Sequence, residues 1–167
     1  MFESGAILVY LAEKTGRFVP DDLRMRAQAL QWLFWQTSGL SPLSGQAIHF
    51  IRYAPEETRP YGQLRYIGEV KRHWQVLDGH LKGRELIAGD YSIADVATLG
   101  WVRNLIGFYE AGGLVGFDSL KNVPAWLELD RKAITGRVIS EPGPGDWESY
   151  YNPNAVSRVG AQGIAQF

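Results

Sequence analysis

Few residues in this chain have the type and spacing that chemistry needs. The 167 residues contain no cysteine. That removes disulfides, thiolate metal sites and a cysteine nucleophile together, and leaves the redox compartment unconstrained. The three histidines are His49, His73 and His80. His73 and His80 lie seven apart, two turns along one helix face, and read as exposed polar positions, so no metal site is expected. Gly160 and Gly163 follow no strand and make no phosphate-cradling loop. Two serine–acid arrangements remain. Ser92 precedes Asp95 by three residues and an apolar run follows. This is the pattern of a capping box: the serine oxygen takes the Asp95 N–H, and the carboxylate reaches back to the Ser92 N–H. It specifies a helix start rather than a reaction. Near the front, Glu3 and Ser4 stand side by side, with Ser4 placed to cap a helix.

Composition narrows the classes further. Lys plus Arg is 17 and Asp plus Glu is 18, for a net charge of −1. This gives no electrostatic case for nucleic acid or an anionic membrane. No apolar run reaches membrane-spanning length. The opening MFESGAILVYLAEK has no basic stretch and carries Glu3, so it does not read as a signal peptide, and a cytoplasmic protein is expected. Six Trp, eight Tyr and seven Phe predict a core built on large aromatic anchors.

The elements that would position these residues are helices. The stretch 90–102, DYSIADVATLGWV, predicts a buried central helix that runs to about Tyr109. Tyr91 and Val96 are placed to close a hydrophobic staple, Ile93, Val96, Ala97 and Gly100 form an apolar face, and the small residues Ala94, Ala97 and Gly100 would admit close neighbours. Ser4–Lys14 is a first helix with Ile7, Tyr10 and Leu11 on one face and Gly16 as its stop. Nothing precedes it to bury that face, so it is expected to fray. Asp21 or Asp22 opens a long helix to about Tyr53, with Leu23, Ala27, Leu30 and Phe34 as its stripe, Trp32 and Trp35 widening the arc, and a kink at Gly39–Pro42. Ala54–Glu57 breaks it. A third long helix runs from about Thr58 to Lys82, with Ile67, Val70, Trp74, Leu77 and Leu81 as the seam of an antiparallel pair. The segment 79–90 reads as a loop docking Leu86-Ile87-Ala88 onto the core. Asp118 or Asn122 starts further short helices anchored by Val123, Trp126, Leu127 and Leu129 and stopped by Gly136, and 141–167 reads as an irregular, poorly ordered tail. No period-two alternation supports a sheet, so the predicted fold is all-α.

Several of these stretches together resemble one family. Phe2-Glu3-Ser4-Gly5-Ala6-Ile7-Leu8, continuing to Tyr10-Leu11-Ala12, resembles the end of the thioredoxin-like half of a glutathione transferase. Ser92-Ile93-Ala94-Asp95 after Gly89-Asp90-Tyr91 resembles the capping box that begins the core helix of that family's helical half. Between them, QWLFWQTSGLSPLSGQAIHF and the helix over 61–81 are similar to the bacterial nu class and to fungal nitrogen-regulator-like transferases. The resemblance covers about residues 2–130 in family order. It implies residues 1–16 as the last helix of the thioredoxin-like half, 17–140 as a glutathione transferase C-terminal helical bundle and 141–167 as the tail.

The resemblance also implies roles. Glu3 and Ser4 match the acidic-serine pair that binds the γ-glutamyl end of glutathione, the co-substrate. A helix N-terminus favours its carboxylate, and Glu3 can pair with its ammonium. Gln36, Leu40, Phe50 and Arg52 would line the hydrophobic substrate site, and Ser92 and Asp95 are structural. The activity implied is transfer of glutathione to electrophiles or reduction of disulfides with it, in a homodimer. No catalytic residue can be assigned here. The family's thiol-activating Ser, Tyr, Cys or Asn and its cis-proline turn belong to a part this chain does not match, and the arginine-proline pair near the end of the helical half is also missing. The expectation is therefore a fragment, inactive alone. The alternative is a non-catalytic interaction or scaffold module of the same fold.

Overall fold

The structure, a computed structural model, describes residues 1–122, and every regular element among them is helical. The first helix, α1 (Ser4–Thr15), stops where predicted. Gly16 takes φ 64°, a left-handed conformation, and the N–H groups of Gly16 and Arg17 close onto the carbonyls of Glu13 and Ala12. Its start differs. Glu3, not Ser4, is the N-cap, and no side chain caps this end. The buried face differs too: Ala12 is buried and packs with Leu8 and Val9 on Leu33 and Ile93, whereas Tyr10 and Leu11 are each 47% exposed. The helix is thus docked on two others rather than unsupported, because the stripe of smaller residues, not the bulkier one, meets its neighbours.

Asp22 opens α2 (Leu23–Trp35) by accepting the Met25 N–H at 2.9 Å. The chain then continues through a π-turn (Gln36–Leu40), α3 (Ser41–Ile48) and a second π-turn (His49–Tyr53). The predicted interruption at Gly39–Pro42 takes this form. Pro42 has no N–H to continue the helical ladder, and the wider π-turn, in which the Ser41 N–H reaches the Gln36 carbonyl, accommodates it. Of the stripe predicted for α2, Leu30 packs against Leu33 and Ile93, but Leu23 is 80% exposed and Phe34 63%. The buried stripe is Ala29, Trp32, Leu33 and Gln36. Ala29 lets a neighbouring helix come close, and that proximity outweighs the pull of the two larger side chains.

After Ala54 leaves the helix at ψ 149° and a short 3₁₀ turn (Glu56–Thr58), α4 runs over Arg59–Leu81. Val70, Trp74, Leu77 and Leu81 are buried along its inward face, as their spacing predicts, and Ile67 packs at the edge. A type II turn over Leu81–Arg84 ends the helix. Lys82 has φ −57° and ψ 111°, Gly83 has φ 73°, and the Arg84 N–H reaches the Leu81 carbonyl at 2.9 Å. Ile87 and Ala88 then plug into the core as expected.

The last helix, α5 (Ile93–Arg103), is followed by a π-turn (Asn104–Phe108) and packs on α1 and α2. Its inward face is Ile93, Ala94, Asp95, Thr98 and Val102; of the predicted Ile93, Val96, Ala97 and Gly100, Ile93 is buried and Ala97 packs beside it, while Val96 is half-buried. Gly100 is exposed and has no neighbour within 4 Å of a Cβ position, so it admits no close helix. Thr98 is accommodated inside by donating its hydroxyl to the Ala94 carbonyl at 2.8 Å. Beyond a 3₁₀ turn at Phe117–Ser119, the Asp78 side chain accepts the backbone N–H groups of Lys121 and Asn122 at 2.8 and 2.7 Å. The anchors Val123, Trp126, Leu127 and Leu129, the stop at Gly136 and the tail over 141–167 lie outside the described residues. Among the described residues no helix is long and apolar enough to cross a membrane.

Candidate functional site

The start of α1 is the most open polar site among the predicted residues. Glu3 sits at φ 68° and ψ 111°, a conformation that costs a residue with a Cβ about 1–3 kcal/mol. Its carbonyl takes the Ile7 N–H at 2.9 Å, while the side chains of Glu3 and Ser4 are exposed and bond to nothing among the described residues. The first N–H groups of α1 therefore face outward without an acceptor, the arrangement that receives a carboxylate. Gly5 sets where this end lies. A Cβ there would meet the Thr37 methyl at 3.1 Å, so α1 closes directly on the first π-turn. Sequence reading passed over Thr37, and the signal for it was the glycine directly after the Glu3-Ser4 pair.

The residues predicted to line a hydrophobic site divide between two ends of one segment. Gln36 is buried, and Leu40 is 0% exposed inside the main core. Phe50 stacks on Tyr66, with centroids 5.4 Å apart, and its ring occupies the space a Cβ on Gly62 would need. Arg52 is exposed and donates Nη2 to the Tyr109 carbonyl at 2.5 Å. Ten helical residues separate Leu40 from Phe50, a rise of about 15 Å, so the four do not converge. Tyr53 and Tyr109 meet beside Arg52. Burial first, then Tyr53, holds the Tyr109 phenol above its ordinary value.

His73 and His80 are not the exposed polar pair expected. His73 is 6% exposed, stacks against Trp35, and shares a hydrogen bond between Nδ1 and the Glu69 carbonyl at 2.8 Å. His80 lies against Trp32 and bonds through Nε2 to the Ile87 carbonyl at 2.7 Å. A carbonyl only accepts, so both nitrogens carry protons. The tryptophans on α2 draw both histidines inward, and Gly39 leaves room for His73, whose Nε2 would lie 2.5 Å from a Cβ there. Among the described residues no cluster of three or more His, Cys, Asp or Glu could hold a metal.

The Ser92–Asp95 box is present as predicted. Asp95 Oδ2 accepts the Ser92 N–H and the Ser92 hydroxyl, each at 2.9 Å, and Ser92 Oγ accepts the Ala94 N–H at 3.3 Å. One partner is new: Asp95 Oδ1 accepts the Ile87 N–H at 3.0 Å, tying the preceding loop to the helix start. Tyr91 lies edge-on to Phe18 at 5.9 Å.

No protein-family model matches the chain. It is 52% identical over 151 residues to the disulfide-bond oxidoreductase YfcG of Escherichia coli, covering 89% of this chain and 67% of that protein. To the disulfide-bond oxidoreductase YghU of the same organism it is 40% identical over 146 residues, covering 84% of this chain and 50% of that one. A crystal structure of a glutathione transferase from Burkholderia graminis, with two glutathione molecules bound per subunit, superposes with a TM-score of 0.73 at 44% identity. That match covers 84% of this chain and 62% of the other. The chain thus spans between half and about two thirds of the length of these relatives.

Proposed function

This chain belongs to the glutathione transferase family, and on that premise we propose that it binds the γ-glutamyl end of glutathione through Glu3 and Ser4 and serves the reduction of disulfides by glutathione. The observation that carries the reading is the start of α1. Its N–H groups are uncapped, a carboxylate and a hydroxyl stand beside them, and Glu3 is held at φ 68°. The N–H groups and Ser4 suit the γ-glutamyl carboxylate, and Glu3 suits its ammonium. Strain held at a residue with no packing role is what a ligand-facing position would require.

Disulfide reduction is favoured over conjugation by what the relatives are named for and what one of them binds. Two glutathione molecules and one disulfide give glutathione disulfide and two thiols, with two electrons and two protons passed on. Two relatives named as disulfide-bond oxidoreductases, and one that binds two glutathione molecules per subunit, fit that stoichiometry. In this reading Thr37, which meets the start of α1, offers a contact to the second substrate, with Gln36 buried beside it. A homodimer in the cytoplasm belongs to the same reading. Tyr61 and Leu64, exposed on the outer face of α4, leave an apolar patch for a second copy.

Amide NMR titration of the 167-residue chain tests the assignment. Glutathione should move the Ser4, Gly5 and Ala6 signals, cysteinylglycine (which lacks the γ-glutamyl group) should not, and Glu3→Gln should weaken binding about tenfold. Equal response to both ligands, or shifts confined to other residues, refutes it.

A further inference from the structure

A groove of about 470 Å³ opens between the first three turns of α2 and the turn that ends α4. Arg24, Gln28 and Gln31 line one side, Arg84 the other, and Trp32 against His80 closes it from within, their rings 4.3 Å apart. No acidic side chain lines it. At least four of the nine arginines in the described region have a hydrogen-bonded partner. Arg26 pairs with Glu13, Arg72 with Glu69, Arg52 bonds the Tyr109 carbonyl and Arg59 the Ala54 carbonyl. Arg24 and Arg84 have no side-chain partner among the described residues. The nearest acidic cap, Asp22, is turned to the Met25 N–H instead.

The backbone positions of both arginines are set by local structure. Arg24 lies in the first turn of α2 behind the Asp22 cap, and Arg84 is the last residue of the type II turn that Gly83 makes possible at φ 73°. Two guanidinium forks each match a pair of anionic oxygens, and two carboxamides between them can donate or accept. We propose that this groove binds a small dianion, its carboxylate or phosphate oxygens shared between Arg24 and Arg84, at a site distinct from that of glutathione.

Calorimetric titrations with inorganic pyrophosphate and with succinate test this and separate the two oxygen chemistries. One of them should bind with a dissociation constant below 1 mM, the order expected of two charge-assisted contacts. Arg24→Ala and Arg84→Ala should each weaken it at least tenfold, with partial recovery in Arg84→Lys. Arg65→Ala, a charge removed from elsewhere on α4, and Glu3→Gln should leave it unchanged. Circular dichroism spectra confirm that each variant is folded. If neither anion binds, if the Arg24→Ala/Arg84→Ala double variant binds like the original, or if Arg65→Ala weakens binding equally, the proposal is overturned.

Discussion

Removing the Asp95 carboxylate tests how the loop before α5 is joined to the helix. The residue is 0% exposed. Its Oδ1 accepts the Ile87 N–H at 3.0 Å and its Oδ2 the N–H and hydroxyl of Ser92 at 2.9 Å each. Asp95→Ala leaves two backbone donors, on residues that are themselves buried, without an acceptor. At about 1–3 kcal/mol for each orphaned group, the expected loss is about 3–5 kcal/mol, a large part of the total stability of an ordinary domain. Ser92→Ala removes only the hydroxyl and the acceptor of the Ala94 N–H, for about 1 kcal/mol. Both changes act on one shared network, so the double variant should resemble Asp95→Ala alone. Asp95→Asn keeps one acceptor but turns an NH₂ toward a donor, and should fall between, at about 2–3 kcal/mol. Urea unfolding followed by far-UV circular dichroism measures each loss, provided the slope with denaturant is unchanged. Amide exchange at Ile87 reports the joint directly. A loss below about 1 kcal/mol for Asp95→Ala, or strict additivity with Ser92→Ala, would refute the reasoning.

Two glycines of α4 should respond in opposite directions to alanine. Gly68 has open space around a Cβ position, so Gly68→Ala should add about 0.5–1 kcal/mol. Gly62→Ala drives a methyl into the Phe50 ring and should lose about 1–3 kcal/mol, so melting temperatures should rank Gly68→Ala, the original chain, then Gly62→Ala. The alkaline limb of stability should depend on two tyrosines. Burial raises the phenol pKa of Tyr91 and of Tyr109, with the Asp95 charge adding to the first and Tyr53 to the second. The unfolded chain then loses these protons first. Their stabilisation is complete below about pH 10 and declines as pH rises through the higher folded values, and Tyr91→Phe or Tyr109→Phe should flatten that decline in urea unfolding at stepped pH.

What the chain determined by itself was where helices begin and end. Asp22, Gly16, the Ala54-Pro55 break and the Ser92–Asp95 box act within a few residues of themselves, so each does the same work whatever packs nearby. The α4 seam was equally legible, because Val70, Trp74, Leu77 and Leu81 are large and lie on one side of a mostly polar helix. Glu3 and Ser4 could be found only through the family they resemble, since a short acid-serine pair has many uses.

Tertiary structure decided which face of an apolar helix turns inward. On α2 the aromatic and aliphatic residues encircle the axis, so periodicity allowed several answers; contact with α5 and the histidines of α4 selected Ala29, Trp32, Leu33 and Gln36 and left Leu23 and Phe34 outside. The same contacts drew His73 and His80 in against tryptophans. Arg24 and Arg84 line one groove only because Trp32 of α2 meets His80 of α4 and a left-handed glycine ends the second helix. Burial is a property of pairs of surfaces, and a single helix carries the pattern of one surface only.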